Sequence, residues 1–330
     1  MALFSEIIGQ EHIKEHLKNA IISGMPSHAY IIQGEEGMGK SMVANAFAGG
    51  LLCETGAGEP CLKCHSCKQF MSGNHPDVRI ITSEKSNIIK VDEVRKQIID
   101  DIQIKPYSSD YKIYIIPNAQ RMNPQAQNAL LKTLEEPPQY AVIMLLCTNA
   151  KMLLDTIVSR CVTLDIRPLK DSQVSECLMK RYKKPDYMAN VIAAFARGSI
   201  GRALLLAEDE AFIELRDTAM ETVSNLKRMD VMAISDMIKR ILALATPPEE
   251  FLDYLLLMYR DALVYKSTNS DSRLLFKNDI KLITEMARDN SFEHIENVIR
   301  EIAGAKNRLR VNVNKDLTLE LLILTMQRGD

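Results

Sequence analysis

Gly34-Glu35-Glu36-Gly37-Met38-Gly39-Lys40-Ser41 follows the apolar run His28-Ala-Tyr-Ile-Ile-Gln33 and opens a helical pattern that continues from Lys40 to Leu52. The octet satisfies G-x-x-x-x-G-K-[ST] in the setting that gives this motif its meaning, a strand entering a glycine-rich turn and then a helix. The glycines let backbone N–H groups turn inward around phosphate oxygens, and the helix N-terminus adds a favourable potential. Lys40 brings a point charge for the terminal phosphates and Ser41 a hydroxyl for Mg²⁺. Gly34, Gly37, Gly39, Lys40 and Ser41 are therefore the candidate nucleotide-binding residues. A tight strand-to-helix turn with an exposed lysine is the plainer alternative, and the agreement of strand, loop and helix speaks against it.

Outward from that loop the same alternation continues. Asp77 to Thr82, Lys112 to Ile116, Ala141 to Thr148 and Val162 to Ile166 read as strands. Between them lie helical patterns from Asp92 to Ile102 and from Asn123 to Glu135, the second stopped by Pro137-Pro138. An opening helix carries Ile13, Leu17 and Ile21. About five near-continuously apolar strands joined by helices predict a parallel sheet covered on both faces. Beyond Pro168 the strand signals nearly vanish. A few short helices reach about Glu208, broken by Lys183-Lys184-Pro185 and Gly198-Ser-Ile-Gly201, and longer ones follow from Asp209. In the last helix, near Asp316 to Met326, Leu317, Glu320, Leu321 and Leu324 share a face, widened by Leu319, Leu322 and Ile323. That stripe predicts buried helix packing. The expected fold class is α/β plus all-α, divided at 1–167, 168–208 and 209–330.

Composition bounds the function. The 330 residues carry 41 Lys+Arg against 43 Asp+Glu, a formal net charge of -2, which excludes a surface built throughout as a polycation for nucleic acid. Contact with DNA must then be local. No run approaches the ~18 apolar residues of a membrane span, and the N-terminus MALFSEIIGQEHIKEH is acidic and amphipathic, unlike a signal peptide. A cytoplasmic protein is the expectation. Seven cysteines are an odd number, which in a reducing compartment points to metal or buried thiols.

Four of them cluster as Cys53-x7-Cys61-x2-Cys64-x2-Cys67 around the flexible Thr55-Gly-Ala-Gly-Glu-Pro60. Zn²⁺ favours tetrahedral thiolate ligation, and two-residue spacings let neighbouring cysteines converge on one ion. Lys63 and Lys68 offset part of the charge, and His65 competes with Cys53 for the fourth position. Unliganded thiols are the alternative; a redox dithiol normally comes as a single Cys-x-x-Cys pair. With no place for a substrate evident, the zinc is read as structural.

Binding nucleotide and hydrolysing it are separable. A P-loop ATPase holds Mg²⁺ and polarises water with acids at the end of a neighbouring strand. Here that strand ends Ile115-Ile116-Pro117-Asn118, which offers no carboxylate and no general base. Other acids that could substitute, such as Asp92 or Glu135 and Glu136, lie on helices or at a helix end. The expectation is a site that binds nucleotide and hydrolyses it poorly.

With these three features the chain resembles, over essentially its whole length, the delta-prime branch of the AAA+ clamp loader family of bacterial DNA polymerase III. Ile7-Ile8-Gly9-Gln10 resembles the family's opening box, and Asn128-Ala-Leu-Leu-Lys-Thr-Leu-Glu-Glu-Pro-Pro138 its helix and turn. Ser159-Arg160-Cys161 matches its Ser-Arg-Cys motif, Thr148-Asn149 its first sensor, and Gly198-Ser-Ile-Gly-Arg202 its second. Arg308-Leu-Arg-Val-Asn-Val-Asn314 resembles the end of its collar domain. The resemblance implies an AAA+ domain with a zinc module, a small helical lid and a helical collar. It implies that Arg160 acts in trans on a neighbour's ATP, and that Asn149 and Arg202 read the chain's own nucleotide. It also implies a hetero-oligomeric ring with gamma/tau and delta subunits, a sliding clamp and primer-template DNA as partners, and a place in a polymerase holoenzyme, a nucleotidyltransferase by association. From residue type alone, Arg160 is a surface arginine closing a helix, and Asn149 a turn asparagine. The missing acids distinguish this reading from its alternative, a gamma/tau-type motor ATPase. A zinc-containing nucleic-acid-binding module with a vestigial P-loop is a third reading, which the charge balance does not favour.

Overall fold

The computed structural model describes residues 3–83, 88–311 and 313–328. Asn312, inside the Arg308–Asn314 stretch, lies outside them. The chain divides into two compact units, Met1–Lys170 with Gly198–Arg202, and Asp171–Arg197 with Ala203–Asp330.

Among the described residues, the first unit holds five strands, β1 (Ala29–Gln33), β2 (Val78–Ile80), β3 (Lys112–Ile116), β4 (Ala141–Cys147) and β5 (Val162–Asp165). All pair in parallel, in the order β2-β3-β4-β1-β5. The central strands are apolar at every position but Lys112 at the start of β3 and Gln33 at the end of β1, because both faces are covered, and their alternation sorts two cores. Tyr30, Ile32, Ile113, Ile115, Met144 and Leu146 face α1 (Glu11–Ser23) and α2 (Lys40–Leu51). Ile31, Tyr114, Ile116, Ile143 and Leu145 face the other way, with Val94 and Ile98 and with Leu130 and Leu134. Leu130 and Leu134 belong to α5 (Pro124–Glu135), whose N-cap Asn123 accepts from Ala126 N–H at 2.8 Å and whose first residue is proline. Because the strands are parallel, every C-terminal end lies along one edge, where ligands of open α/β sheets sit.

Two elements depart from the sequence expectation. The helix expected over Asp92–Ile102 starts as α4 (Val91–Val94) and widens to a π-turn over Arg95–Ile99. Its buried residues Val94, Ile98 and Ile102 repeat every four, which drifts about 40° per turn on a 3.6-residue helix. A wider turn keeps them on one face. The strand expected from Asp77 begins one residue later, because the buried Asp77 carboxylate instead accepts from Tyr107, Ser108 and Ser109 N–H and so anchors the loop before β3.

In the second unit α7 (Asp171–Tyr182) and α8 (Asp186–Ala196) form a hairpin. They are followed by α9 (Ile200–Glu208, whose first residues belong to the first unit), α10 (Glu210–Asn225), α11 (Val231–Ala243), α12 (Pro248–Thr268), α13 (Ile280–Asp289), α14 (Phe292–Arg310) and α15 (Lys315–Gln327). Phe195, Phe212, Tyr254 and Phe276 pack with centroid separations of 5.2–5.7 Å along the chain of contacts. On α15 the packed face is Thr318, Leu319, Leu322, Ile323 and Met326, while Leu317 and Leu321 are 52% and 49% exposed. The buried stripe is therefore narrower than the sequence pattern suggested. Among the described residues, no helix is long and apolar enough to cross a membrane.

Candidate functional site

The loop between β1 and α2 is built from backbone. Gly39 caps α2 at φ +90°, and Gly34 N–H donates to Cys147 O at 3.2 Å, tying the loop to the end of β4. Lys40 Nζ donates to Gly34 O and Glu35 O, so its ammonium spans the loop it follows. Burial pulls the Lys40 ammonium below its ordinary range, against the opposing influence of Cys147, Glu36 and Glu35. Ser41 is exposed at the start of α2.

Gly198–Arg202 lies directly on this loop. Gly201 N–H donates to Gly37 O at 2.9 Å, and Ser199 Oγ donates to Glu36 O at 3.1 Å. At Gly37, with φ +74°, a Cβ would stand 2.5 Å from Ser199 Oγ and 3.0 Å from Arg202 N. Only glycine lets the two segments meet. Gly198, at φ +80°, is equally constrained, since a Cβ there would reach Leu169 N and O at 2.6 Å. Gly198→Ala is expected to lower stability by about 1–3 kcal/mol from backbone strain alone, read as an earlier denaturant midpoint. The sequence-predicted Arg202 is thus brought beside Gly37.

Asn149 follows β4, where its side chain accepts from Lys151 N–H at 2.9 Å as a local cap. Next to it, Gln33 at the end of β1 accepts from Ala150 N–H at 2.7 Å and donates to Asp165 of β5. Gln33 therefore stitches three strand ends beneath the loop. Gln10 does similar work further out, donating to Arg167 O at 2.6 Å and accepting from Arg167 N–H at 3.0 Å. Neither glutamine was singled out in the sequence by its own chemistry; Gln33's place as the last strand residue before the loop was the available signal. The end of β3 brings Pro117 and Asn118, the latter at φ +53°, and no carboxylate.

The four clustered cysteines converge. The sulfurs of Cys53, Cys61, Cys64 and Cys67 all lie within 4.8 Å of one another, and Cys61 and Cys67 are 4.0 Å apart. Tetrahedral Zn–S bonds of ~2.3 Å place sulfurs about 3.8 Å apart, so the set fits such an ion. Backbone N–H groups of Cys61, Cys64 and Cys67 each point 3.3 Å to the sulfur of the preceding cysteine. Hydrogen bonds from Lys63 and Cys64 N–H pull the Cys61 thiol down to about 6. His65 is exposed and is not among the converging donors, leaving Cys53 in the fourth position. Between the cysteines, buried Ser66 of α3 (His65–Met71) donates to Leu52 O at 2.6 Å and contacts His75 Nε2 at 3.0 Å. Asp77 N–H donates to His75 Nδ1, so Nε2 carries the proton and the trio braces the cysteine loop against the sheet.

Arg160 sits elsewhere, just after α6 (Asp155–Val158). It pairs with Glu135 Oε1 at 2.9 Å and donates to Thr156 O at 2.8 Å. Arg160 and Glu135 line a cavity of about 570 Å³ with Ser27 and His28, which lead into β1, and with Ala29, its first residue. Roughly 13 Å of strand separates this end of β1 from the glycine-rich loop that follows it. Glu135 is therefore not placed to replace the acids missing from β3.

A sequence model for the family described as DNA polymerase III, delta subunit, matches residues 9–170. Another, described as DNA polymerase III, delta subunit, C terminal, matches residues 210–328. The chain is 32% identical over 323 residues to DNA polymerase III subunit delta' of Bacillus subtilis, covering 97% of each. It is 34% identical over 229 residues to DNA polymerase III subunit tau/gamma of Haemophilus influenzae, covering 68% of this chain and 33% of that protein. A solved gamma subunit-related protein of Thermotoga maritima aligns over 96% of this chain and 99% of its own at 21% identity, with a TM-score of 0.41.

Proposed function

The chain belongs to the delta-prime family of DNA polymerase III subunits, and from that premise we propose that it is a largely stationary partner in a clamp loader. It binds ATP with Mg²⁺ through Gly34, Gly37, Gly39, Lys40 and Ser41, with Asn149 and Arg202 reading the bound phosphates, and hydrolyses it poorly. Arg160 stabilises charge developing on the ATP of a neighbouring gamma/tau subunit. Cys53, Cys61, Cys64 and Cys67 hold a structural Zn²⁺. Residues 1–167 form the AAA+ domain, 168–208 the lid and 209–330 the collar that joins the ring with gamma/tau and delta. Within that ring a few basic groups and main-chain N–H groups share contact with primer-template DNA while the sliding clamp is placed.

One observation carries the reading. A phosphate loop whose neighbouring strand ends in Pro117-Asn118 stands at one end of β1, and a cavity carrying Arg160 stands at the other. An arginine so far from its own loop is better placed to serve another chain's nucleotide than its own. Such division of labour needs no local general base. The full-length chain alone is expected to turn over ATP at background, unchanged by Lys40→Ala, while Lys40→Ala abolishes nucleotide binding. Sustained Lys40-dependent turnover would instead identify a motor ATPase of the gamma/tau type, the reading that the tau/gamma identity favours.

A further inference from the structure

The guanidinium of Arg160 is already occupied within its own chain. One terminal nitrogen lies 2.9 Å from Glu135 Oε1, and the other reaches Thr156 O at 2.8 Å and Ser159 Oγ at 3.3 Å. Glu135 ends α5 and Arg160 follows α6, so the pair is made by tertiary placement and not by helix periodicity. Glu135 is the one acid among the residues lining the 570 Å³ cavity, whose other polar lining is Ser27, His28 and Ser159. The cavity is open and has room for a phosphate. The side chains are 35% exposed for Arg160 and 49% for Glu135, so the pair is solvated and weak.

We infer that Glu135 is the resident counter-ion of Arg160, holding the guanidinium against its own chain until an oxyanion of a nucleotide phosphate takes the carboxylate's place. The inference rests on the reading of Arg160 as a donor in trans and adds the device that keeps it in reserve. The exchange is favourable in physical terms. A solvated carboxylate pair is easily given up, whereas a guanidinium matches phosphate with two parallel, charge-assisted hydrogen bonds. Thr156 O and Ser159 Oγ hold the other nitrogen without charge, so the arginine does not depend on Glu135 for its direction. Glu135 is then a positioning residue whose removal releases Arg160 and does not disarm it.

Two arms test this. In the full-length chain alone, modification of Arg160 by phenylglyoxal, followed by peptide mass, is expected to run three- to fivefold faster in Glu135→Gln, a factor set by the upper range of exposed ion pairs. An unchanged or slower rate overturns the inference. Glutamine keeps the size of a half-exposed side chain, so folding is retained. In the reconstituted loader, Glu135→Gln is expected to raise turnover or lower the KM for ATP by a similar factor, and to have no effect in an Arg160→Ala background. Lowered turnover overturns the inference, because Glu135 would then orient the arginine for catalysis. Wild-type turnover in Arg160→Ala alone would remove the trans reading, and the modification arm would still decide the counter-ion.

Discussion

The native protein is expected to carry one equivalent of zinc per chain by elemental analysis, and replacing Cys61 and Cys64 together with serine to abolish it and to open the segment from Cys53 to Cys67 to proteolysis. The effect is large because, apart from the Ser66–His75 brace and the bonds of Glu54 and Glu59 to Ser66 and Ser5 N–H, the segment is ordered around its sulfurs. Cys53 and Cys67 are buried, but Thr55 to Glu59 is a glycine-rich turn, and the loop's internal order rests on N–H groups directed at sulfurs. In small zinc modules the metal contributes about 10–16 kcal/mol at neutral pH, which is folding free energy when the apo segment has no structure of its own. Ser66, braced on Leu52 and His75, transmits the loss to the end of α2. A fall in Tm should therefore accompany the loss of metal, and a chelator should reproduce both in the native chain. Zinc retained at full stoichiometry in the double variant would refute the four-thiolate assignment.

Arg160→Ala is expected to reduce ATP turnover at the neighbouring site of the reconstituted loader by about 10³-fold, the lower range for an arginine supplied in trans. Total turnover then falls by that site's share of the whole. Stability should change little, because Arg160 is partly exposed and its ion pair with Glu135 is solvated. This contrast matters: a structural arginine would cost stability and spare turnover, and a trans donor does the reverse. Arg160→Lys should recover little, since an ammonium cannot offer the planar, two-point contact of a guanidinium. Wild-type-like turnover in the Arg160→Ala complex would remove the donor role.

The sheet was legible from the sequence because a parallel strand covered on both faces is written as an unbroken apolar run, and β4 is the clearest example. The glycine-rich turn between β1 and α2 and the convergence of the four cysteines were equally legible, since both features are contiguous in the sequence. What the sequence withheld is long-range. That Gly198–Arg202 lies on Gly37 depends on Gly37, at positive φ, meeting Gly201 of α9 across more than 160 residues. That Glu135 pairs with Arg160 depends on where two helix ends arrive after folding, and no periodicity encodes it. The π-turn of Arg95–Ile99 lay in plain sight as a four-residue spacing, yet the 3.6-residue expectation absorbed it. On α15 the apolar pattern is wider than the buried face, because an apolar residue at helical spacing declares a face without declaring whether a neighbour covers it.

Donation of Arg160 in trans and placement of the clamp both require an assembly, so the most direct measurement is of assembly itself. The full-length chain, mixed with the gamma/tau and delta subunits of its own organism and resolved by size-exclusion chromatography with mass measurement, is expected to enter one complex containing all three. That complex should hydrolyse ATP in a manner that depends on Arg160. Elution of this chain alone, with the other subunits forming an equally active complex without it, would contradict the account.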